Sequence, residues 1–209
     1  MTAELGLFPL ELVLLPTERL PLHIFEPRYK ELVGECLASD GEFGLILERP
    51  EGLARVGTRA RVSRVLQRMP DGRMNVVVEG GERFGVVAET EGRSFRTALV
   101  EPVEDGDDPP GPDEIEEALA VFHRLVVLTE AEVVEPERGS PLLSFELAAR
   151  IDFGSEVKQE LLELRSPRER LERLTELLEL AAEALQVERT LSDRASRNGK
   201  VKPLRPDAP

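Results

Sequence analysis

Cysteine is almost absent. Cys36 stands alone among 209 residues, so neither an intrachain disulfide nor a cysteine-rich zinc cluster can form. Histidine is nearly as scarce, and neither His23 nor His123 has the carboxylate or cysteine spacing of a metal site. The phosphate loop Gly-x4-Gly-Lys-Ser/Thr, the dinucleotide fingerprint Gly-x-Gly-x-x-Gly, the His-Glu-x-x-His helix and the nucleophile elbow Gly-x-Ser-x-Gly are all missing. The sequence therefore implies no metal, no cofactor and no catalytic residues. No apolar run approaches the roughly 20 residues of a membrane span. The opening Met1-Thr2-Ala3-Glu4, with Pro9 and Glu11 interrupting the apolar stretch behind it, does not read as a secretory signal. A cytoplasmic chain with no membrane partner is expected.

Positive charge is in deficit as well. Against 41 acids stand 27 bases, a net charge of −14 with the histidines neutral. Phosphate binding needs a basic footprint, so this balance argues against nucleic acid as a general partner. The deficit is uneven: residues 1–103 sum to −3, residues 104–188 to −15 and residues 189–209 to +4. The run Glu104-Asp105-Gly106-Asp107-Asp108-Pro109-Pro110-Gly111-Pro112 resists regular structure through its prolines and glycines, and its acids repel one another. It reads as a linker, 104–112, between a first subdomain of residues 1–103 and a second of residues 113–191. The remainder, 192–209, mixes Arg, Lys, Pro and Gly with few large apolar residues and is expected to be disordered or loosely attached.

The first half carries strand signals. Phe43–Leu47 is short and apolar, and Val56–Val62 alternates arginine with small or apolar residues, placing Val56, Ala60 and Val62 on a buried face. After Ser63-Arg64 the phase changes, as a β-bulge produces. Pro70-Asp71-Gly72 marks a turn between Val65–Met69 and Met74–Val78, a hairpin. Gly80-Gly81 and Gly85 punctuate the path onward, and a last strand falls within Phe95–Val103. One helix intrudes at Glu26–Ala38, with Tyr29, Leu32, Val33, Cys36 and Leu37 on one side. Short strands with glycine at the bends and one helix predict a small, partly closed barrel.

The second half is helical. Asp113 with Glu116 reads as a cap ahead of Ile115, Leu119, Phe122, Leu125 and Val126. Ser140-Pro141 opens a second helix to about Ile151, and Gly154-Ser155 a third to about Leu164. Ser166-Pro167-Arg168-Glu169 caps a long helix with a seam of Leu171, Leu174, Leu178, Ala181 and Leu185. The fold class is thus α+β, a barrel followed by a helical bundle.

Two surface features stand out as sites for a partner. Arg59, Arg61, Arg64 and Arg68 make the most basic stretch of the barrel, which fits either a solvated strand face or an acidic peptide or RNA. Met69 and Met74 flank the hairpin turn, where methionine either fills the barrel end or adapts to apolar partners. Cys36 sits on the apolar side of its helix as a small hydrophobe, and both histidines read as structural.

The run Phe8-Pro9-Leu10, Val13-Leu14-Leu15-Pro16 and Leu20-Pro21-Leu22-His23-Ile24-Phe25-Glu26-Pro27-Arg28-Tyr29 resembles the opening of the Lon N-terminal domain family. Further matches keep the family's order: Val56-Gly57-Thr58, the turn at Pro70-Asp71-Gly72, and Val76-Val77-Val78-Glu79-Gly80 with Arg83-Phe84, similar to a V-x-V-E-G-x-x-R segment. Lys158–Glu163 and Arg168–Leu174 resemble its helical region, so the similarity runs over roughly residues 5–185. The resemblance implies a PUA-like pseudo-barrel joined to a helical lobe. Within the sharpest motif, Pro21, Phe25, Pro27, Arg28 and Tyr29 are expected to be architectural: prolines fix the chain, Phe25 and Tyr29 anchor the core, and Arg28 bonds an acid or carbonyls.

In complete Lon proteases this region recognises substrate, and ATPase and protease modules follow it. Only the first module is matched, so the resemblance implies neither ATP nor peptide hydrolysis. The expected function is a non-catalytic protein- or peptide-binding module. It would recognise unfolded or client proteins at a groove between barrel and helices, as an adaptor to a separate protease or chaperone, or as a holdase. The alternative is an RNA- or nucleotide-binding PUA-like module using the four arginines and the tail.

Overall fold

The computed structural model describes residues 2–134 and 136–198. The chain runs β1 (Ala3–Leu10), β2 (Arg19–Ile24), α1 (Pro27–Ser39), β3 (Phe43–Arg49), β4 (Gly52–Leu53), β5 (Val56–Arg68), β6 (Met74–Thr90) and β7 (Thr97–Pro102). The helices α2 (Pro112–Thr129), α3 (Leu143–Ala148), α4 (Ser155–Glu163) and α5 (Pro167–Asn198) follow. Strand β1 pairs with β7 antiparallel and with β3 parallel, and β7, β6, β5 and β3 follow in order, so five strands close on themselves. Closure removes the free sheet edges that an open five-stranded sheet would present. Strand β2 lies outside this ring on the first half of β6, whose second half pairs with β7.

The expected helix and strands are present, including the phase change in β5, where the register with β6 shifts between Val62 and Arg64. The glycines do not break β6, which runs 17 residues without interruption. Instead they let it bend against its neighbours. A Cβ at Gly80 would fall on the Leu15 carbonyl. The backbone there bonds the 15–18 loop from both sides, Thr17 N–H to the Gly80 carbonyl at 2.8 Å and Gly80 N–H to the Glu18 carbonyl at 2.9 Å.

Two cores result. Helix α1 caps the barrel with Tyr29, Leu32, Val33 and Cys36, all buried against Phe8, Phe43, Val76 and Val78. The Phe8 and Tyr29 rings stack at 3.9 Å. The second core joins Leu5, Leu7, Phe84, Ala98 and Val100 of the strands to Phe122, Leu161, Leu171, Leu174 and Leu178 of the helices. Barrel and helices therefore share one apolar interior, and segment 104–112 passes alongside it rather than between separate cores.

Helix α2 begins one residue earlier than Asp113, at Pro112. Gly111 is its N-cap, and the Glu114 carboxylate accepts from the Gly111 N–H. The helix at Ser140 is shorter than expected, Leu143–Ala148, because Ser140 Oγ takes the Leu142 N–H at 3.1 Å in a turn before it. The Ser166 cap of α5 forms as expected, accepting from Glu169 N–H at 3.1 Å. Arg168 meets Glu114 at 3.1 Å near the start of both α5 and α2, and Arg189 meets Glu130 at 3.0 Å near the end of α2, so the two helices run parallel. Helix α5 continues through the point where the basic tail was expected to begin, to Asn198; residues 199–209 of that tail lie outside the described residues. Among the described residues no helix is long and apolar enough to cross a membrane.

Candidate functional site

The outward face of β2, β6 and β5 is read off the register. Arg19, Glu79 and Arg61 form one row, with Arg19 Nε 3.3 Å from the Glu79 carboxylate. Pro21, Val77 and Arg64 form the next. His23, Asn75 and Gln67 form the third, with His23 Nδ1 2.6 Å from Asn75 Oδ1 and Asn75 Nδ2 donating to Gln67 Oε1 at 3.3 Å. Residues directly opposite on neighbouring strands share a face, so each row is a physical stripe. At one end of the third row Phe25 stacks on His23, ring centroids 5.8 Å apart. At the other, Leu66 precedes Gln67 at a register shift between Val65 and Gln67. Phe25 is 58 % and Leu66 50 % exposed.

The basic residues singled out in the sequence do not act as a unit. Arg59 is half-buried and pairs with Glu42 at 3.8 Å. Arg61 and Arg64 are exposed on the strand face, Arg68 is exposed at the end of β5 opposite Met74, and none of the three has an ion pair among the described residues. Met74 is buried inside the barrel, opposite Ile24, while Met69 is half-buried at the turn. The two methionines thus divide between filling the barrel and edging the surface. Lys30 of α1 donates to the Asp71 carbonyl at 3.2 Å, tying the hairpin tip to the helix.

The motif Leu20–Tyr29 also divides. Pro27 opens α1, and Tyr29 is buried as expected. Phe25 is not a core anchor. Ile24 takes the inward register opposite Met74, and the two-residue period of a strand then turns His23 and Phe25 outward. Pro21 lies exposed on β2 opposite Val77, where its missing N–H suits an edge strand. Arg28 bonds the neighbouring Glu26 at 2.9 Å and lies 4.6 Å over the Tyr29 ring.

A groove does lie where barrel and helices meet. This cleft of about 520 Å³ is lined by Pro16, Gly80, Arg83, Val103, Asp105 and Phe145 among others. In its wall stands a cluster that the sequence reading did not single out. Asp105 bridges two buried guanidiniums: Arg83 donates to Oδ1, and Arg170 donates to Oδ1 at 2.8 Å and Oδ2 at 2.7 Å. Arg83 also donates to the Leu162 and Leu164 carbonyls at 2.8 Å, and Arg170 to the Leu164 carbonyl at 2.7 Å and Ser144 Oγ at 2.8 Å. The Phe145 ring lies 4.0 Å from the Arg170 guanidinium carbon. Burial pulls the Arg83 guanidinium below its usual value, and the Asp105 carboxylate counters that by holding the charge. The polar groups of this cleft are spent on joining the halves of the molecule. The strand face, by contrast, presents apolar side chains and unpaired cations to solvent.

Comparison with known proteins agrees with this architecture. The ATP-dependent protease La (LON) substrate-binding domain family matches residues 4–179. The Lon protease of Solibacter usitatus is 29 % identical over 217 residues, covering 94 % of this chain and 26 % of that protein. The Lon protease of Haemophilus influenzae is 26 % identical over 203 residues, covering 90 % and 25 %. The chain therefore spans about a quarter of the length of these relatives. Among solved structures, a Lon N-terminal domain protein from Xanthomonas campestris superposes with a TM-score of 0.66 at 27 % identity, over 82 % of this chain and 96 % of that one. The N-terminal domain of a Mycobacterium avium complex Lon protease shares the fold, with a TM-score of 0.62 at 16 % identity over 85 % and 98 %. From its closed strand ring to its capped helices, the chain belongs to the Lon substrate-binding domain family.

Proposed function

We propose that the chain is a non-catalytic recognition module that binds exposed apolar segments of unfolded or damaged proteins on the outer face of β2, β6 and β5. It would serve as a holdase or as an adaptor to a separate protease. One observation carries this reading: Phe25 and Leu66 stand exposed at the ends of a face that holds Arg61 and Arg64, in a chain of net charge −14. Large apolar side chains left in water beside cations mark a surface that gains by being covered. The arginines favour segments in which acids flank an apolar residue. The matches to Lon proteins fall in the substrate-binding portion and support recognition of protein substrates.

Binding to a panel of urea-denatured proteins of acidic and basic composition tests this, with suppression of their aggregation as a second readout. Burial of a Phe or Leu side chain contributes about 1.5–3 kcal/mol. Phe25→Ser with Leu66→Ser should then weaken capture at least about 100-fold and leave the melting temperature nearly unchanged. Failure of the wild-type chain to bind any client overturns the reading. A salt-dependent shift with RNA, lost in an Arg61→Ser, Arg64→Ser, Arg68→Ser variant, would transfer the same face to single-stranded nucleic acid.

A further inference from the structure

The ring of strands closes, but β5 and β6 extend past it as an arm. Strand β5 pairs with β3 only at Thr58, Arg59 and Ala60, and from Arg61 to Arg68 its one strand neighbour is β6. Among the described residues, no backbone hydrogen bond ties this stretch to a loop or a helix. The backbone groups of residues 61–68 that point away from β6 therefore form an open sheet edge, about 26 Å long at 3.3 Å per residue.

An open edge is a template for a further strand, and proteins blunt the edges they leave unused. Strand β2 forms the other edge of the arm and is blunted: Pro21 in its middle has no N–H, and Arg19 is held by Glu79 at 3.3 Å. The β5 edge holds no proline. Its register shifts, past Ser63 and Leu66, bend it locally and leave every N–H in place.

The side chains along the edge specify what pairs with it. Ser63 is taken up in the first shift, so Arg61 and Arg64 stand on one face in neighbouring rows, opposite Glu79 and Val77. Val62 and Val65, opposite Val78 and Val76, stand on the other face, half-buried against the barrel core. A strand laid beside β5 sends its alternate side chains to these same two faces. One set meets arginines that have no ion pair, and the other meets valines. Acidic residues suit the first set and apolar residues the second. A second copy of the same edge would set arginine beside arginine, which is destabilising, so the edge does not favour self-pairing.

We propose that the open edge of β5 binds a client segment as an added strand whose acidic and apolar residues alternate. The proposal rests on the strand face being the client surface. To that reading it adds the backbone as the main contact and a two-residue period as the source of specificity.

Fluorescence anisotropy of the full chain with an eight-residue peptide of alternating Glu and Val tests this, with urea-denatured clients run alongside. A peptide of the same composition in two blocks should bind at least about 10-fold more weakly, because only half of its side chains meet a matching face. An alternating peptide N-methylated at its four central amides should lose at least as much, since it cannot donate to the edge. Arg61→Glu with Arg64→Glu should exchange the preference, losing the Glu peptide and gaining one of alternating Lys and Val. Amide hydrogen exchange in the complex should slow within residues 61–68 and stay unchanged in Arg19–Ile24. Equal binding of the three Glu-Val peptides, or protection of β2 in place of β5, overturns the added strand and leaves client capture standing. Capture of denatured clients with no binding of the alternating peptide does the same. A chain that captures no client and binds no peptide overturns the client surface and the added strand together.

Discussion

Asp105 has the most consequential side chain for stability in the junction. Two guanidiniums, from Arg83 and Arg170, are almost wholly withdrawn from water, and their common counter-charge is this one carboxylate. Removing one partner of a buried ion pair leaves charge uncompensated in a low-dielectric site and costs about 3–5 kcal/mol. Asp105 keeps a quarter of its side chain in solvent, so Asp105→Asn should fall near the lower end of that range, about 3 kcal/mol, seen as a lower urea midpoint at unchanged slope. The sequence places Arg83 in a family-like segment and Asp105 in an acidic linker, but nothing in either segment announces the other. They are 22 residues apart, and Arg170 lies 65 beyond Asp105. Only the fold brings them together, which is why the linker reads as a spacer until its contacts are seen. Cys36 and Tyr29 make the opposite case, legible from helical spacing alone. Burial holds the Cys36 thiol above its usual 9.0, with Glu35 and Glu42 adding to the shift, and burial likewise raises the Tyr29 phenol above 10.0. A folded-state pKa above the unfolded one means that the stabilisation is fully present below the unfolded value and lost as pH rises through the folded one. Stability should therefore decline from about pH 9 upward. Cys36→Ala should soften the onset of that decline in urea titrations at stepped pH, and a thiol reagent should label Cys36 only on unfolding.

At the scale of elements, the hairpin of β5 and β6 shows what local pattern can and cannot carry. The alternation from Val56, the change of phase at Ser63-Arg64 and the turn at Pro70-Asp71-Gly72 are all visible in the chain. The further register shifts, between Thr58 and Ala60 and between Val65 and Gln67, are not, because no change in the alternation along β5 marks them. One of these lies at exposed Leu66, so half of the candidate site stayed hidden. Strand β1 was hidden for another reason. Leu5 and Leu7 enter the core shared with the helices while Phe8 enters the barrel, so both faces are covered and the alternation that marks a strand is lost. The close packing of β3, β5 and β6 gives a direct test. A Cβ at Gly57 would lie 2.6 Å from the tip of the Phe84 ring and 2.7 Å from the Leu45 carbonyl oxygen. The ring has nowhere to move, being fully buried between Gly57 and Gly44. Gly57→Ala should then destabilise by about 1–3 kcal/mol through overpacking. Phe84→Leu in the same chain should return part of the loss, a coupling of about 0.5–3 kcal/mol measurable by a double-mutant cycle in thermal melts.

Across the whole molecule, composition marks where strands give way to helices but not how the two depend on each other. The change from −3 to −15 in net charge places the transition near residue 104, and the helices begin at Pro112. Yet the outer side of the strand ring, with Leu5, Leu7, Phe84, Ala98 and Val100, shares its apolar core with the helices. Polar ties cross the same boundary. Lys158 meets Glu18 at 2.6 Å in a half-buried pair, Gln159 donates to the Val56 carbonyl at 3.0 Å, and Ser155 donates to the Glu11 carbonyl at 2.7 Å. Arg49 on β3 holds Glu156 on α4 through two hydrogen bonds at 2.7 and 3.0 Å. A barrel cut away at residue 103 would lose the counter-charge of Arg83 and expose five apolar side chains on one face. Such a fragment should not reach a unique fold: its amide NMR spectrum should lack dispersion and it should bind a hydrophobic dye. The intact chain should melt in one cooperative transition, its calorimetric and van't Hoff enthalpies agreeing. Two separated transitions, or a well-dispersed spectrum from residues 1–103 alone, would show that the barrel is stable without its helices and that the shared core contributes little to it.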